Sequence, residues 1–149
     1  NPHLPPSLQI IAGTYDGVLA GWSSNPLTLT FATPAHDGSI RSLSLSSSRT
    51  LLSCGYDESL RLYSLSKNVE LGDARTPSFM GGTTPLCSAF APPYDTHPSH
   101  CLIGFSSGRI FIYKVKDWSV VHVLSGHKEE KGGVFCVAVH PSGKMALTG

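Results

Sequence analysis

The pair Tyr15-Asp16 returns 41 residues later as Tyr56-Asp57, and Trp22 is answered by Tyr63 at the same offset. In both copies the aspartate stands six residues before the aromatic, and Ser107 to Tyr113 keeps that spacing in a third copy that has lost the acid. The step from Tyr63 to Tyr113 lengthens to 50 residues. A period of this size, carried by more than one landmark, restricts the chain to arrays in which one supersecondary unit is built repeatedly.

The unit is made of short strands. Apolar residues gather at Ile40, Leu43 and Leu45, then at Leu51-Leu52, then at Leu60 and Leu62, with Ser, Gly or Asp between the groups. The third copy offers 86–90, 101–105 and 110–113, its added length falling in the proline-rich loop 92–100. A fourth begins with 134–139, turns at His140-Pro141-Ser142-Gly143 and resumes at 145–148. Helical periodicity is absent. Four short strands in roughly 40 to 45 residues mark a β-propeller, whose blades cannot cover their own apolar faces and therefore stack radially. The expected class is all-β, a propeller of about seven blades when whole. Three and a fraction of them fall in segments 9–32, 36–72, 84–124 and 126–149. An all-β sandwich is the alternative, and the shared landmarks argue against it.

Charge and cysteine usage narrow the function. Lysine and arginine exceed aspartate and glutamate by one, so net charge gives nucleic-acid binding no support. Residues 1–100 hold five basic and seven acidic side chains and residues 101–149 six and three, a slight basic bias at the C-terminal side. Cys54, Cys87, Cys101 and Cys136 are spaced 33, 14 and 35 apart, which fits neither a CxxC pair nor a zinc-ligand pattern. Free thiols in a reducing compartment are expected. No run approaches the roughly 20 apolar residues of a membrane span, and no secretory leader or N-x-S/T acceptor is seen. The expectation is an intracellular protein without a membrane partner, of which residues 1–149 are an excerpt.

Catalytic and ligand motifs do not assemble. His97, His100 and Cys101 lack a second ligand cluster, and Pro98 places them in a loop. Gly81-Gly82-Thr83-Thr84 and Gly143-Lys144 fail as phosphate loops, Ala138 standing where the latter needs glycine. There is no G-x-S-x-G elbow, and Glu129-Glu130 sit in a charged loop with no apolar surroundings. With no constellation of acid, base and nucleophile, the chain is read as a non-enzyme. No cofactor, metal or small-molecule substrate is expected, and its ligands are other macromolecules.

His36 follows Ala35 ahead of the second copy, and Gly126-His127 stands ahead of the fourth, the place where a WD repeat carries its Gly-His pair. Resemblance to that family implies a buried hydrogen-bond chain joining the histidine, a strand serine or threonine, the turn aspartate and the strand tryptophan. Carried over, it makes His36, Ser53, Asp57 and Tyr63 structural, Tyr63 replacing tryptophan, with Asp16, Trp22 and His127 as members in other copies. A buried carboxylate is costly unless its acceptor sites are filled, so Asp57 requires the imidazole N–H and turn amides. Tyr15 and Tyr56 precede the turn aspartates, a position that in WD propellers projects onto the face around the central channel. Each is either a partner-binding anchor or packing against a neighbouring blade.

The order of motifs is narrower than a generic WD repeat. "GTYDGVLAGW" from Gly13, "HDGSIRSLSLS" from His36, "LLSCGYDESLRLYSLSKNVELG" from Leu51 and "GHKEEKGGVFCVAVHPSGKMALTG" from Gly126 resemble, in that order, the PAK-kinase-interacting, MAK-eleven-type family of WD-repeat proteins. The resemblance implies a non-enzymatic scaffold in nucleolar biogenesis of the large (60S) ribosomal subunit and its rRNA processing. Its implied partner is the pre-ribosomal large-subunit (pre-60S) particle, through assembly proteins or rRNA. The alternative it implies is a signalling adaptor that binds and negatively regulates a p21-activated kinase. This chain departs from the pattern where Glu129, Glu130 and Lys131 interrupt the Gly-His-Lys-Gly-Gly-Val run, and where the third copy lacks its Gly-His pair and aspartate.

The first copy starts one strand short. Residues 9–13, 18–22 and 28–32 read as second, third and fourth strands, and Pro2, Pro5 and Pro6 make the preceding stretch a poor innermost strand. An unpaired inner edge is a liability, so a segment beyond Gly149 is expected to supply the strand and close the ring.

Overall fold

The computed structural model describes residues 8–74, 82–127 and 132–149. The prolines at the start, Gly81 and the charged run 128–131 lie outside the described residues. The first sheet runs β1 (Gln9–Gly13), β2 (Val18–Ser24), β3 (Leu27–Pro34). The second runs β4 (Ile40–Leu45), β5 (Thr50–Gly55), β6 (Leu60–Ser64), β7 (Val69–Ala74). The third runs β8 (Pro85–Ala91), β9 (His100–Phe105), β10 (Arg109–Lys114), β11 (Ser119–Ser125), and a two-stranded sheet pairs β12 (Val137–Val139) with β13 (Ala146–Thr148). Every pairing is antiparallel and joins strands consecutive in sequence. These stacked meanders are part of a β-propeller.

The hairpins share one turn device. A single left-handed residue closes the turn in equivalent places: Gly17 (φ 78°), Glu58 (64°) and Gly108 (74°) before the third strand of each blade, and Asn68 (51°) and Trp118 (54°) before the outermost. Such a residue after a type I turn lets the chain re-enter an antiparallel strand through a bulge. The landmark aromatics mark a second device. Register shifts fall between Gly21 and Trp22, between Leu62 and Tyr63, and between Ile112 and Tyr113. Each bulge bends the outermost pair of its blade. The outer strands β7 and β11 carry no sequence landmark of their own, because their side chains are mostly exposed.

The core lies between the sheets. Leu19, Ala35, Leu51, Tyr63 and Leu65 join the first sheet to the second, with Ile11, Phe31, Ile40 and Leu43 around them. Leu52, Cys54, Leu60 and Leu62 meet Phe90, Cys101, Ile103, Phe105, Phe111 and Tyr113 between the second and third. Cys87, Ala91, Leu102, Ile110 and Val134 form the layer before β12. Alternation along a strand sends successive side chains to opposite faces, so one sheet serves two layers: Leu51 turns to one neighbour and Leu52 to the other. Leu52 and Leu60 are fully buried, each contributing about 1.5–3 kcal/mol of apolar burial. At the innermost strands the contact is polar instead. Ser44 Oγ donates to the Ser88 carbonyl at 2.7 Å, and Ser42 Oγ lies 2.9 Å from Ser88 Oγ.

The cysteines are free, Cys54, Cys87 and Cys101 buried and Cys136 exposed. Burial pushes the Cys54 thiol up to about 12 despite a hydrogen bond with Ser88, so it stays protonated and serves as packing. Among the described residues β1 pairs only with β2. The cross-strand row Ile10, Trp22 and Leu29 points away from the second sheet.

Candidate functional site: the turn ledge of the first two sheets

Three chain segments meet at one end of the first two sheets. Thr14 begins the turn that leads into β2: Gly17 N–H donates to its carbonyl and Val18 N–H to its Oγ1 (2.9 Å). The link from β3 to β4 folds onto that turn, Ala35 and His36 both donating their amides to the Gly17 carbonyl (2.9 and 3.1 Å) and Ile40 donating to the Thr14 carbonyl (3.1 Å). The turn from β5 to β6 completes the ledge through Tyr56 N–H donating to the Ser39 carbonyl at 2.9 Å. A Cβ on Gly17 would collide with the backbone carbonyls of His36 and Gly38, which is why glycine stands at that close approach.

His36, Ser53 and Asp57 are brought together under the ledge. The Nδ1 of His36 lies 2.9 Å from Asp57 Oδ1 and 2.8 Å from Ser59 Oγ, and its Nε2 lies 2.8 Å from Ser53 Oγ. A proton on Nδ1 faces the Asp57 carboxylate, and Nε2 exchanges a hydrogen bond with the Ser53 hydroxyl. Asp57 accepts further bonds from Ser59 N–H (3.1 Å), Ser59 O–H (2.8 Å) and, at Oδ2, Asp37 N–H (3.0 Å). Burial raises the Asp57 carboxyl, but the Ser59 hydroxyl, the Asp37 amide, His36 and the Ser59 amide outweigh it and bring it down to about 2. The carboxylate is half-buried rather than sealed, with 16% of its side chain exposed. Ser59 is a member that sequence reasoning missed. Its signal is the Asp-x-Ser spacing, which recurs as Asp117 with Ser119, where Asp117 Oδ1 again accepts from the serine amide and hydroxyl.

Tyr63 does not join this chain, which corrects its reading as a stand-in for tryptophan. It sits opposite Leu51, whereas Ser53 is opposite Arg61. Its ring packs with Leu19, Leu51 and Leu65, and its hydroxyl is buried beside Arg61 with no well-aligned hydrogen-bond partner among the described residues. An indole carries its N–H on the flank of the ring, while a phenol carries its donor at the far tip. Asp16 is also placed otherwise. It is exposed, and Thr14 rather than Asp16 ties the first turn. Trp22 is half-buried on the open face of the first sheet. His127 Nε2 meets Thr148 Oγ1 at 2.9 Å, a contact like that of His36 with Ser53. In the third sheet the histidine–aspartate pair is replaced by hydroxyls, Thr83 Oγ1 accepting from Ser107 N–H at 3.2 Å.

Tyr15 and Tyr56 stand on the ledge with 85% and 63% of their surfaces exposed. The corresponding turn of the third sheet carries Ser106, whose amide repeats the Tyr56 bond by donating to the Thr84 carbonyl at 2.9 Å. The aromatic pair is thus confined to the first two sheets. Among the described residues no group of three or more His, Cys, Asp or Glu is placed to hold a metal ion.

The family model for the WD domain, G-beta repeat, matches residues 27–64 and 118–149. The first match runs from β3 to β6, taking the outer strand of one sheet and three strands of the next. Over 95% of its length the chain is 30% identical to a p21-activated protein kinase-interacting protein 1-like of Gallus gallus, covering 36% of that protein. It is 29% identical to the Shk1 kinase-binding protein 15 of Schizosaccharomyces pombe over 95% of its length and 40% of the relative's. It is 33% identical to Protein MAK11 of Saccharomyces cerevisiae over 76% and 28%. The chain therefore spans well under half the length of the curated relatives it matches. Its repeating antiparallel sheets, its histidine–serine–aspartate network and these similarities agree: the chain carries WD repeats folded as part of a β-propeller and is similar along most of its length to kinase-interacting and MAK11-type proteins.

Proposed function

We propose that the whole protein is a non-enzymatic scaffold in nucleolar biogenesis of the large ribosomal subunit, and that it binds the pre-60S particle through the ledge bearing Tyr15 and Tyr56. The observation that carries the docking surface is the pair of exposed rings on turns whose backbones are locked by the bonds of Thr14, Gly17 and Ser39. Binding residues concentrate on loops held by a rigid scaffold, and exposed aromatics on such loops make good anchors. The ribosomal assignment rests on the ordered motif resemblance that runs through the chain. Sedimentation of the tagged full-length protein from cell extract tests it: comigration with large-subunit precursors is expected, and its absence from them removes the reading.

A second reading is an adaptor that binds and restrains a p21-activated kinase. A relative named for interaction with a p21-activated protein kinase and another named for binding Shk1 kinase favour it. Pulldown with regulatory fragments of the kinase tests it, retention on none of them counting against it.

A further inference from the structure

We infer that the segment seated on this ledge is a cationic stretch of protein, bearing lysine and arginine, and not the phosphate backbone of RNA. The inference rests on the scaffold reading only in taking the ledge as a docking surface. Its carrying feature is the exposed pair Tyr15 and Tyr56, and charge selects the occupant. The three ledge segments, 14–18, 35–40 and 55–59, contain Asp16, Asp37, Asp57 and Glu58 and no lysine or arginine. Residues 1–40 contain no lysine or arginine. Asp16 and Asp37 are exposed. Asp57 is held ionised by its donors, while Glu58 Oε2 accepts from Gly82 N–H at 3.0 Å.

Among the described residues two arginines stand near the ledge. Arg41 lies just past the ledge on β4, exposed. Arg61 is taken up by Glu70 at 3.3 Å and Asp73 at 3.9 Å on the side of β7. In the third sheet the corresponding turn, Ser106-Ser107-Gly108, is uncharged. Exposed aromatics serve two kinds of ligand. Single-stranded nucleic acid stacks its bases on them, but such sites pair the rings with a positive groove that follows the phosphates. Here the charge has the opposite sign and repels a phosphate backbone. An ammonium or guanidinium group is attracted both by the face of a tyrosine ring and by the flanking carboxylates. Rings and acids therefore act in the same direction for a basic peptide and against each other for RNA.

The test uses the full-length protein and two fluorescent probes, a short peptide of alternating Lys, Arg and Gly and an oligouridine of equal length, followed by anisotropy. The peptide is expected to bind, more weakly as salt is raised from about 50 to about 200 mM because exposed charges are screened, and the oligouridine is not. Asp16→Asn with Asp37→Asn should reduce peptide affinity severalfold and flatten its salt dependence. Both side chains lie outside the hydrogen-bond network, and the change is isosteric, so folding is kept. Tyr15→Ala with Tyr56→Ala should lower affinity by about tenfold while the salt dependence persists. Oligouridine binding that is lost in the tyrosine pair, or peptide binding untouched by either pair, overturns the inference. Comigration with ribosomal precursors alongside ledge-independent peptide binding would remove this inference alone. Ledge-dependent peptide binding without comigration would remove only the ribosomal reading.

Discussion

Gly55 and His36 compete for one volume: a Cβ on Gly55 would overlap Nδ1 of His36 and Oδ1 of Asp57 at once. The imidazole can bridge Asp57 and Ser53 only because the last residue of β5 has no side chain. Gly55→Ala should force the ring aside, with a loss of about 1–3 kcal/mol as in other overpacked sites. Chemical denaturation of the full-length protein measures this, and an unchanged midpoint would show that the imidazole has room to spare.

Asp57→Ala strands His36 Nδ1–H and the Asp37 amide that now donate to the carboxylate. Leaving such donors without partners costs about 1–3 kcal/mol. Melting temperature should fall, while the folded fraction binds its partners no more weakly than the loss of one ledge charge requires. Lost binding at an unchanged melting temperature would reassign Asp57 from scaffold to ligand contact.

Acid should unfasten the same site. The folded carboxyl of Asp57 is lowered from 3.8 to about 2, so its ionised form stabilises the fold fully above the unfolded value, and this contribution disappears as pH falls from about 4 to about 2. Partial exposure limits it to about 1–2 kcal/mol. Stability measured across that window should fall less in Asp57→Asn than in the wild type, and parallel curves would exclude Asp57 as the titrating group.

Among the described residues neither the Tyr63 hydroxyl, which has Arg61 beside it, nor the Tyr113 hydroxyl finds a well-aligned hydrogen-bond partner, and both are buried. Removing a buried polar group that has no partner relieves a desolvation cost, so Tyr63→Phe and Tyr113→Phe should be neutral or stabilising, with any loss below about 0.5 kcal/mol. Thermal melts check both. A loss above about 1 kcal/mol would reveal a partner for the hydroxyl.

Tyr15→Ala combined with Tyr56→Ala should leave stability within about 0.5 kcal/mol, since both rings are on the surface. Quantitative copurification should nevertheless fall for the partner that uses the ledge. Wild-type recovery of every partner would take both tyrosines off the binding surface.

The period and the alternation of apolar residues were enough to read the inner strands, because Leu51-Leu52 and Leu60 with Leu62 are buried between sheets and must be apolar. Of the outer strands β3 was read as 28–32, whereas β7 and β11 were not legible. Val69 and Leu71 on β7 are about half-exposed, and a strand that faces solvent has no pattern to impose. In the site, His36, Ser53 and Asp57 stood at recognisable positions, whereas Ser59 was hidden because a serine after a turn has many ordinary uses. Tyr63 misled because its position in the repeat matches tryptophan while the reach of its donor does not. Asp16 shows the converse. The dipeptide Tyr-Asp is repeated, but in the first copy Thr14 ties the turn and the acid stands in solvent.

Residues 27–64 take β3 from the first sheet and β4, β5 and β6 from the second, so the inherited unit and the folded unit are out of phase. Duplicating one such stretch in a gene would not create a self-contained blade. It would insert a coupling, with a leading strand that needs the blade before it and three strands that wait for the next stretch to finish them. A ring made of these parts changes its size by whole couplings, each finishing the blade before it and leaving one for the next to finish.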